Sequence, residues 1–394
     1  MKNDIVLVEG VRTAIGSFNG SLKGFQAYEL GSFVIKGLLE KTKINPNLID
    51  EVILGCIGQA AENAFVSRIA ALGAGLNFTS TAMTINRLCS SGLQSIITGA
   101  MEINCNFADI ILAGGAESMN NIPFYLRKAR FGYKLGHGEL EDGLITALSD
   151  PFSRSHMGIT AENIAEKFNI SRLEQDEYAL LSQKRAAEAI SKGLFKEEII
   201  PITIVEGKDK ERIFDTDEFP RLDSTLEKLA KLKPAFKENG SVTAGNASGI
   251  NDGAAAVLMM TSEKAKELNL KPKIRYVDAA VAGVPPEIMG TGPVPAIKKL
   301  LKKTNISLKD IGLIELNEAF SVQTLYCIKE LNLNVNITNV NGSGIALGHP
   351  VGATGTIITV KLMNEMIRRD SKFGLASLCI GGGQGLAVLF ELVK

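Results

Sequence analysis

Two stretches of this chain occur twice, and that repetition constrains the fold more than any other feature. Leu48-Ile49-Asp50-Glu51-Val52-Ile53-Leu54 is echoed by Leu308-Lys309-Asp310-Ile311-Gly312-Leu313-Ile314. Ile110-Ile111-Leu112-Ala113-Gly114-Gly115 is echoed by Ala376-Ser377-Leu378-Cys379-Ile380-Gly381-Gly382. The echoes keep their order at an offset of about 260 residues, too long for a solenoid repeat and suited to a duplicated domain. Short apolar runs alternate with longer helical patterns, the mark of α/β architecture. Glu51–Gly55 and Asp109–Gly115 read as buried strands flanking a helical stretch from Ser90 to Ile103, and Gly253–Met260 reads as another.

The segment from about Asn121 to Gly249 has no counterpart in the back half and reads as an insertion. Ser171-Arg172-Leu173-Glu174 is a capping box opening a helical pattern that runs to Gly193. Phe131-Gly132-Tyr133-Lys134-Leu135-Gly136-His137-Gly138 reads as an exposed hairpin of the kind that docks on another subunit. At 394 residues the chain has room for two cores and this insertion. The division expected is residues 1–120 with 250–270 as one half, 121–249 as the insertion, and 271–394 as the other half.

The formal net charge is zero and no block of like charge occurs, which argues against a nucleic-acid groove or a polybasic membrane patch. No apolar run is long enough to span a bilayer. Five cysteines at irregular spacings form no disulfide framework, and no cysteine–histidine cluster suggests a metal. Strand-forming Ile5-Val6-Leu7-Val8 leaves no room for a targeting peptide, and the ending Glu391-Leu392-Val393-Lys394 is no peroxisomal address. The expectation is a cytoplasmic protein.

Three glycine-rich settings carry the chemistry. Cys89 precedes Ser90-Ser91-Gly92, where a helix opens whose dipole would favour a thiolate; the other reading is a buried structural cysteine. His349 lies among glycines 342, 344, 348, 352 and 355, a density that allows close backbone approach to a ligand. Cys379 ends a buried strand and is followed by Gly381, Gly382 and Gly383, whose N–H groups suit an anion. Asn317-Glu318-Ala319-Phe320 closes the repeated strand, where side chains can enter a site at its carboxyl end. Cys56, Cys105 and Cys327 lack such surroundings and read as structural.

Together these blocks resemble the thiolase family. Arg12-Thr13, Asn86–Gly92, Gly114-Gly115-Ala116-Glu117-Ser118-Met119, Gly245-Asn246-Ala247-Ser248-Gly249, Asn317–Phe320, Gly348–Gly355 and Cys379–Gly385 stand in family order over essentially the whole chain. Ala116 departs from the methionine of many relatives. The resemblance implies two mixed five-stranded sheets with helices on both faces, stacked through helices, plus an inserted loop domain. It implies that Cys89 takes the acyl group, that His349 activates it and lines an oxyanion hole with a water held by Asn317, and that Cys379 is the acid/base at the substrate's α-carbon. Backbone N–H groups of Cys89 and Gly381 would form a second oxyanion hole. Leu148, His156, Met157, Arg221 and Ser248 match positions along coenzyme A, though Arg221 also reads as a solvated charge and Gly245–Gly249 as a simple turn. Ala319 and Phe320 belong with the substrate positions, and Met289 with Met157 would wall a short acyl pocket.

The expected activity is therefore condensation of two acetyl-CoA to acetoacetyl-CoA and CoA, with the reverse thiolysis. It falls within fatty-acid metabolism and needs no metal or other cofactor. A homotetramer, a dimer of dimers, is the expected assembly. The rivals are a degradative 3-ketoacyl-CoA thiolase of broader chain length and a non-catalytic thiolase-like acyl-CoA- or lipid-binding protein. A ketoacyl-synthase-like enzyme would need a second histidine where Cys379 stands.

Overall fold

The echoed stretches occupy equivalent strands of a mixed α/β fold. The structure, a computed structural model, describes residues 4–206 and 210–394. Its first half comprises β1 (Ile5–Thr13), α1 (Ala27–Thr42), β2 (Glu51–Gly55), α2 (Val66–Gly73), β3 (Thr81–Ile85), α3 (Ser91–Asn104) and β4 (Ile111–Ser118). A long excursion carrying α4 (Met157–Lys167) and α5 (Arg172–Ser191) leads to β5 (Asn251–Thr261), which completes it. The second half repeats the grammar with β6 (Ile274–Gly283), α6 (Pro293–Thr304), β7 (Leu313–Leu316), α7 (Ser321–Leu331), α8 (Thr354–Arg369), β8 (Phe373–Ile380) and β9 (Gln384–Leu392).

The strands run in the order β7-β8-β9-β6-β1-β5-β4-β2-β3. In each half a pair is parallel, β2 with β4 and β7 with β8, and the last strand returns antiparallel. Two residue pairs, Val6 with Arg275 and Leu7 with Ile274, join β1 to β6 and make one continuous sheet of the two halves. Among the described residues the first half has five long strands, and the second has four. Its fifth position is reduced to a single parallel bridge between Ile314 and Thr338. Asn339 accounts for the difference: its Oδ1 accepts from Leu316 N at 2.8 Å and its Nδ2 donates to Leu316 O at 2.8 Å. A side-chain amide thus closes the sheet edge where a strand backbone would otherwise continue.

Strand side chains alternate between layers, as a period of two requires. Ile53 enters the central core, whereas Val52 and Leu54 pack outward among Leu30 and Val34 of α1. In the second half Leu378 and Val388 face the centre, and Leu375 and Leu389 face Ile297 and Leu300 of α6. Leu93 and Ile96 of α3 meet Ile357 and Leu362 of α8 in that centre. Each such buried aliphatic side chain contributes about 1.5–3 kcal/mol.

Glycine brings the two central helices together at their N-termini. A Cβ on Gly355 would lie 2.2 Å from Leu93 N, and one on Gly115 would lie 2.2 Å from the Gly352 carbonyl oxygen. The first turn of α3 therefore abuts the first turn of α8. The excursion is pinned to this frame by the buried Arg12, which pairs with Glu198 at 2.8 Å and Asp217 at 2.7 Å.

Candidate active site

Cys89 sits in one turn of 3-10 helix, Leu88–Ser90, immediately before α3. Leu88 is held at φ 47°, a left-handed conformation that costs a non-glycine residue about 1–2 kcal/mol. Three hydrogen bonds enforce it. Leu88 N donates to Asn86 Oδ1 (3.0 Å), Arg87 N donates to Ser91 Oγ (2.9 Å), and Ser91 Oγ donates to Leu88 O (2.7 Å). The sharp turn presents a partly accessible Cys89 thiol to a cavity.

Burial pushes the Cys89 thiol above its ordinary range, against N–H groups of Gly381 and of Cys89 itself that favour the anion; the Glu117 carboxylate adds to the rise. The helix-dipole expectation is overridden here, because desolvation is the larger effect. The Gly381 and Cys89 N–H groups thus converge on the Cys89 sulfur, from opposite halves of the chain.

His349 is buried in the loop leading to α8. Its Nδ1 lies 2.6 Å from Thr354 Oγ1 and its Nε2 lies 3.4 Å from Asn317 Nδ2. His349 N donates to Asn251 Oδ1 at 2.9 Å, fixing the loop to β5. Burial lowers the imidazole pKa to about 4, so the ring is neutral near pH 7. Asn317 is fully buried, and its Oδ1 has no partner among the described residues.

Cys379, near the end of β8, is fully buried among Met289, Ala319 and Phe320. Burial first, then the thiols of Cys89 and Cys327, push its thiol far above the ordinary range. Cys379 thus packs against three residues that line the Cys89 cavity.

The cavity at Cys89 has a volume of about 590 Å³. Its wall gathers Cys89, His349, Leu148, His156, Met157 and Met289, with Arg221, Ser248, Ala319 and Phe320. Asn317, Cys379 and Gly381 are not on that wall and stand directly behind it. Ser248 N donates to Ala319 O at 2.9 Å, tying the Gly245–Gly249 turn to the Asn317 loop. His156 stacks on Phe236 with ring centroids 4.7 Å apart. Arg221 lies over Phe219 and donates to Ala244 O at 3.3 Å, so its head is held at the cavity rim. Among the described residues no group of three or more His, Cys, Asp or Glu side chains is placed to hold a metal ion.

Several contributors escaped sequence reasoning. Thr354 was hidden at the start of α8, five residues beyond His349. Phe219 and Phe236 look like any insertion aromatics until the cavity assembles. Glu117, inside a noted block but without a role, is fully buried and accepts from Ile57 N, Gly58 N and Gly352 N at 3.0, 3.0 and 2.8 Å. The Phe131–Gly138 stretch lies beyond the two-residue ladder pairing Phe124 with Asp142, and Phe131 and Leu135 are exposed on it.

Residues 5–263 match the profile of the thiolase N-terminal domain, and residues 270–392 that of the thiolase C-terminal domain. An acetyl-CoA acetyltransferase of Pseudomonas aeruginosa is 51% identical over 98% of this chain and 98% of its own. The crystal structure of the Bacillus anthracis acetyl-CoA acetyltransferase superposes with a TM-score of 0.97 at 48% identity, covering 100% of this chain and 99% of that one. Human mitochondrial 3-ketoacyl-CoA thiolase superposes with a TM-score of 0.97 at 44% identity, covering 99% of both chains.

Proposed function

This chain belongs to the thiolase family, and from that premise we propose that it is an acetyl-CoA C-acetyltransferase. The observation that carries this reading is that the Cys89 thiol and a neutral His349 face one cavity while the Cys379 thiol packs behind its wall residues Met289, Ala319 and Phe320, all from segments remote in sequence.

In the first half-reaction His349 takes the Cys89 proton as the sulfur attacks the acetyl-CoA carbonyl. The oxyanion forms beside His349 and a water held by Asn317. The S–C bond to coenzyme A breaks, the departing sulfur takes its proton from Cys379, and acetyl-Cys89 remains. In the second, the Cys379 thiolate so formed removes a proton from the α-carbon of another acetyl-CoA. A thiol with so high a pKa is a strong base once ionised. The enolate attacks acetyl-Cys89, the N–H groups of Cys89 and Gly381 receive the oxyanion, and Cys89 leaves as thiolate, reprotonated by His349. The products are acetoacetyl-CoA and CoA, and thiolysis is the same path reversed. The thioester supplies the activation, so the scheme uses no cofactor.

Met289, buried at the cavity, and Met157 favour a short acyl group. The likeness to a 3-ketoacyl-CoA thiolase favours the second reading, a degradative enzyme of broader chain length. The exposed Phe131 and Leu135 support the dimer-of-dimers expectation, and five free cysteines fit the reducing cytoplasm. The broader role proposed is in fatty-acid metabolism. The test is direct: purified protein given acetyl-CoA as sole acyl donor, with a coupled reductase and its nicotinamide cofactor drawing acetoacetyl-CoA onward, should release CoA and form the reduced C4 product. CoA release without any C4 product, or no release at all, contradicts the proposal.

A further inference from the structure

Thr354 Oγ1 lies 2.6 Å from His349 Nδ1 and 2.8 Å from Pro350 O, and a hydroxyl has one proton to give. A carbonyl oxygen only accepts, so that proton goes to Pro350 O. The hydroxyl then offers a lone pair to the ring, which it engages only if Nδ1 carries hydrogen. The opposite side of the ring agrees: Asn317 presents Nδ2, a donor, 3.4 Å from Nε2, while its Oδ1 is turned to the side of Gly344. Both contacts describe one tautomer, with hydrogen on Nδ1 and a lone pair on Nε2.

We propose that Thr354 is a positioning residue that holds His349 in this tautomer, so that Nε2 keeps the lone pair that takes the Cys89 proton. The inference deepens the proposed function and rests on it for the identity of the step affected. The geometry has a further consequence. Thr354 is neutral, buried and on the first turn of α8, so it orients the ring without stabilising an imidazolium as a carboxylate would. The titratable groups around the site are the Cys89 thiol on its turn, Cys379 on β8, Glu117 on β4, and His156 and Arg221 on the cavity wall; Glu117 is occupied by three backbone N–H groups and the Cys56 thiol. A ring with no anionic partner returns its proton readily, which matters because His349 must reprotonate Cys89 at the end of each cycle.

The experiment compares Thr354→Val, which keeps the shape and removes the hydroxyl, with Thr354→Ser, which keeps the hydroxyl. Acetyl-Cys89 formation is timed by rapid quench and intact mass, beside the KM for acetyl-CoA. Thr354→Val should slow acetylation roughly 10- to 100-fold with KM unchanged within about twofold, and Thr354→Ser should recover to within about threefold of wild type. Nitrogen-15 NMR of histidine-labelled wild type reads the tautomer itself, since only His137, His156 and His349 contribute and a His349→Asn spectrum identifies the last. The expected signal has a protonated Nδ1 and an unprotonated Nε2. A protonated Nε2 in the neutral ring, Thr354→Val acetylating within twofold of wild type, or a loss that serine does not restore overturns the inference. If Thr354→Val does not fold, the wild-type ring signal decides. If wild-type Cys89 takes no acetyl group, the proposed function fails, and the ring signal still decides the role of Thr354 separately.

Discussion

Glu117 Oε2 accepts a hydrogen bond from Gly352 N at 2.8 Å, joining the last turns of β4 to the loop that carries His349. The same carboxylate holds Ile57 N and Gly58 N, so one buried side chain fixes backbone from both halves beside the nucleophile. The duplicated fold supplies Cys89 from one half and His349 from the other, and this clamp sits where they meet.

Glu117→Gln should therefore be costly. An amide brings an N–H₂ to a site furnished with three N–H donors, leaving at least one buried donor unpaired. The expected loss is about 1–3 kcal/mol of stability, read as a lower denaturation midpoint, together with slower acetylation. A midpoint and rate equal to wild type would remove Glu117 from this account.

The pH dependence of stability follows from His349. Its pKa in the folded protein is about 4, below the ordinary value of 6.5, so between these values the unfolded chain binds the extra proton. Stability attributable to this group is intact above pH 6.5 and declines as pH falls toward 4, by about 3 kcal/mol in all. Chemical denaturation at pH 7, 6, 5 and 4.5 should show a shallower decline in His349→Asn than in wild type. Parallel declines would mean that the ring is not buried neutral.

Cys379→Ala separates the half-reactions. The nucleophile and its base remain and the coenzyme A sulfur can depart as a thiolate, so acetyl-Cys89 should still form, more slowly, while condensation falls roughly 10²–10⁴-fold for loss of the α-carbon base. Equal loss of both steps would assign Cys379 a structural role.

Chain length tests the methionine wall. Methylenes forced against a packed wall cost about 1–3 kcal/mol, so 3-ketohexanoyl-CoA should be thiolysed with kcat/KM at least about tenfold below acetoacetyl-CoA. Met289→Ala should narrow the gap. Equal or faster turnover of the six-carbon substrate by wild type would favour the degradative reading.

Deleting the Phe131–Gly138 stretch tests the assembly. Light scattering should give four chains for wild type and two for the deletion, with activity retained. A wild-type monomer would contradict the assembly expected here.

How much of this was legible beforehand depended on the kind of contact. The echo of Leu48–Leu54 in Leu308–Ile314 exposed the duplication, because buried strands leave continuous apolar runs, and β2 and β7 stand where those runs lie. Ser171 with Glu174 marked the start of α5, since a capping box is local. The missing fifth strand of the second half was not legible, because it depends on the Asn339 side chain folding back on Leu316. Nor was the high pKa of Cys89, since helix position is local and desolvation depends on the assembled cavity. Thr354 and Glu117 were hidden for the same reason: their partners are chosen by the tertiary fold.

The central claim is that Cys89 carries the acyl group. Wild type mixed with acetyl-CoA, quenched and digested, should yield the Cys89 peptide heavier by one acetyl group, and Cys89→Ala should show neither label nor turnover. Acetylation elsewhere with Cys89 unmodified, or undiminished turnover by Cys89→Ala, would contradict the account.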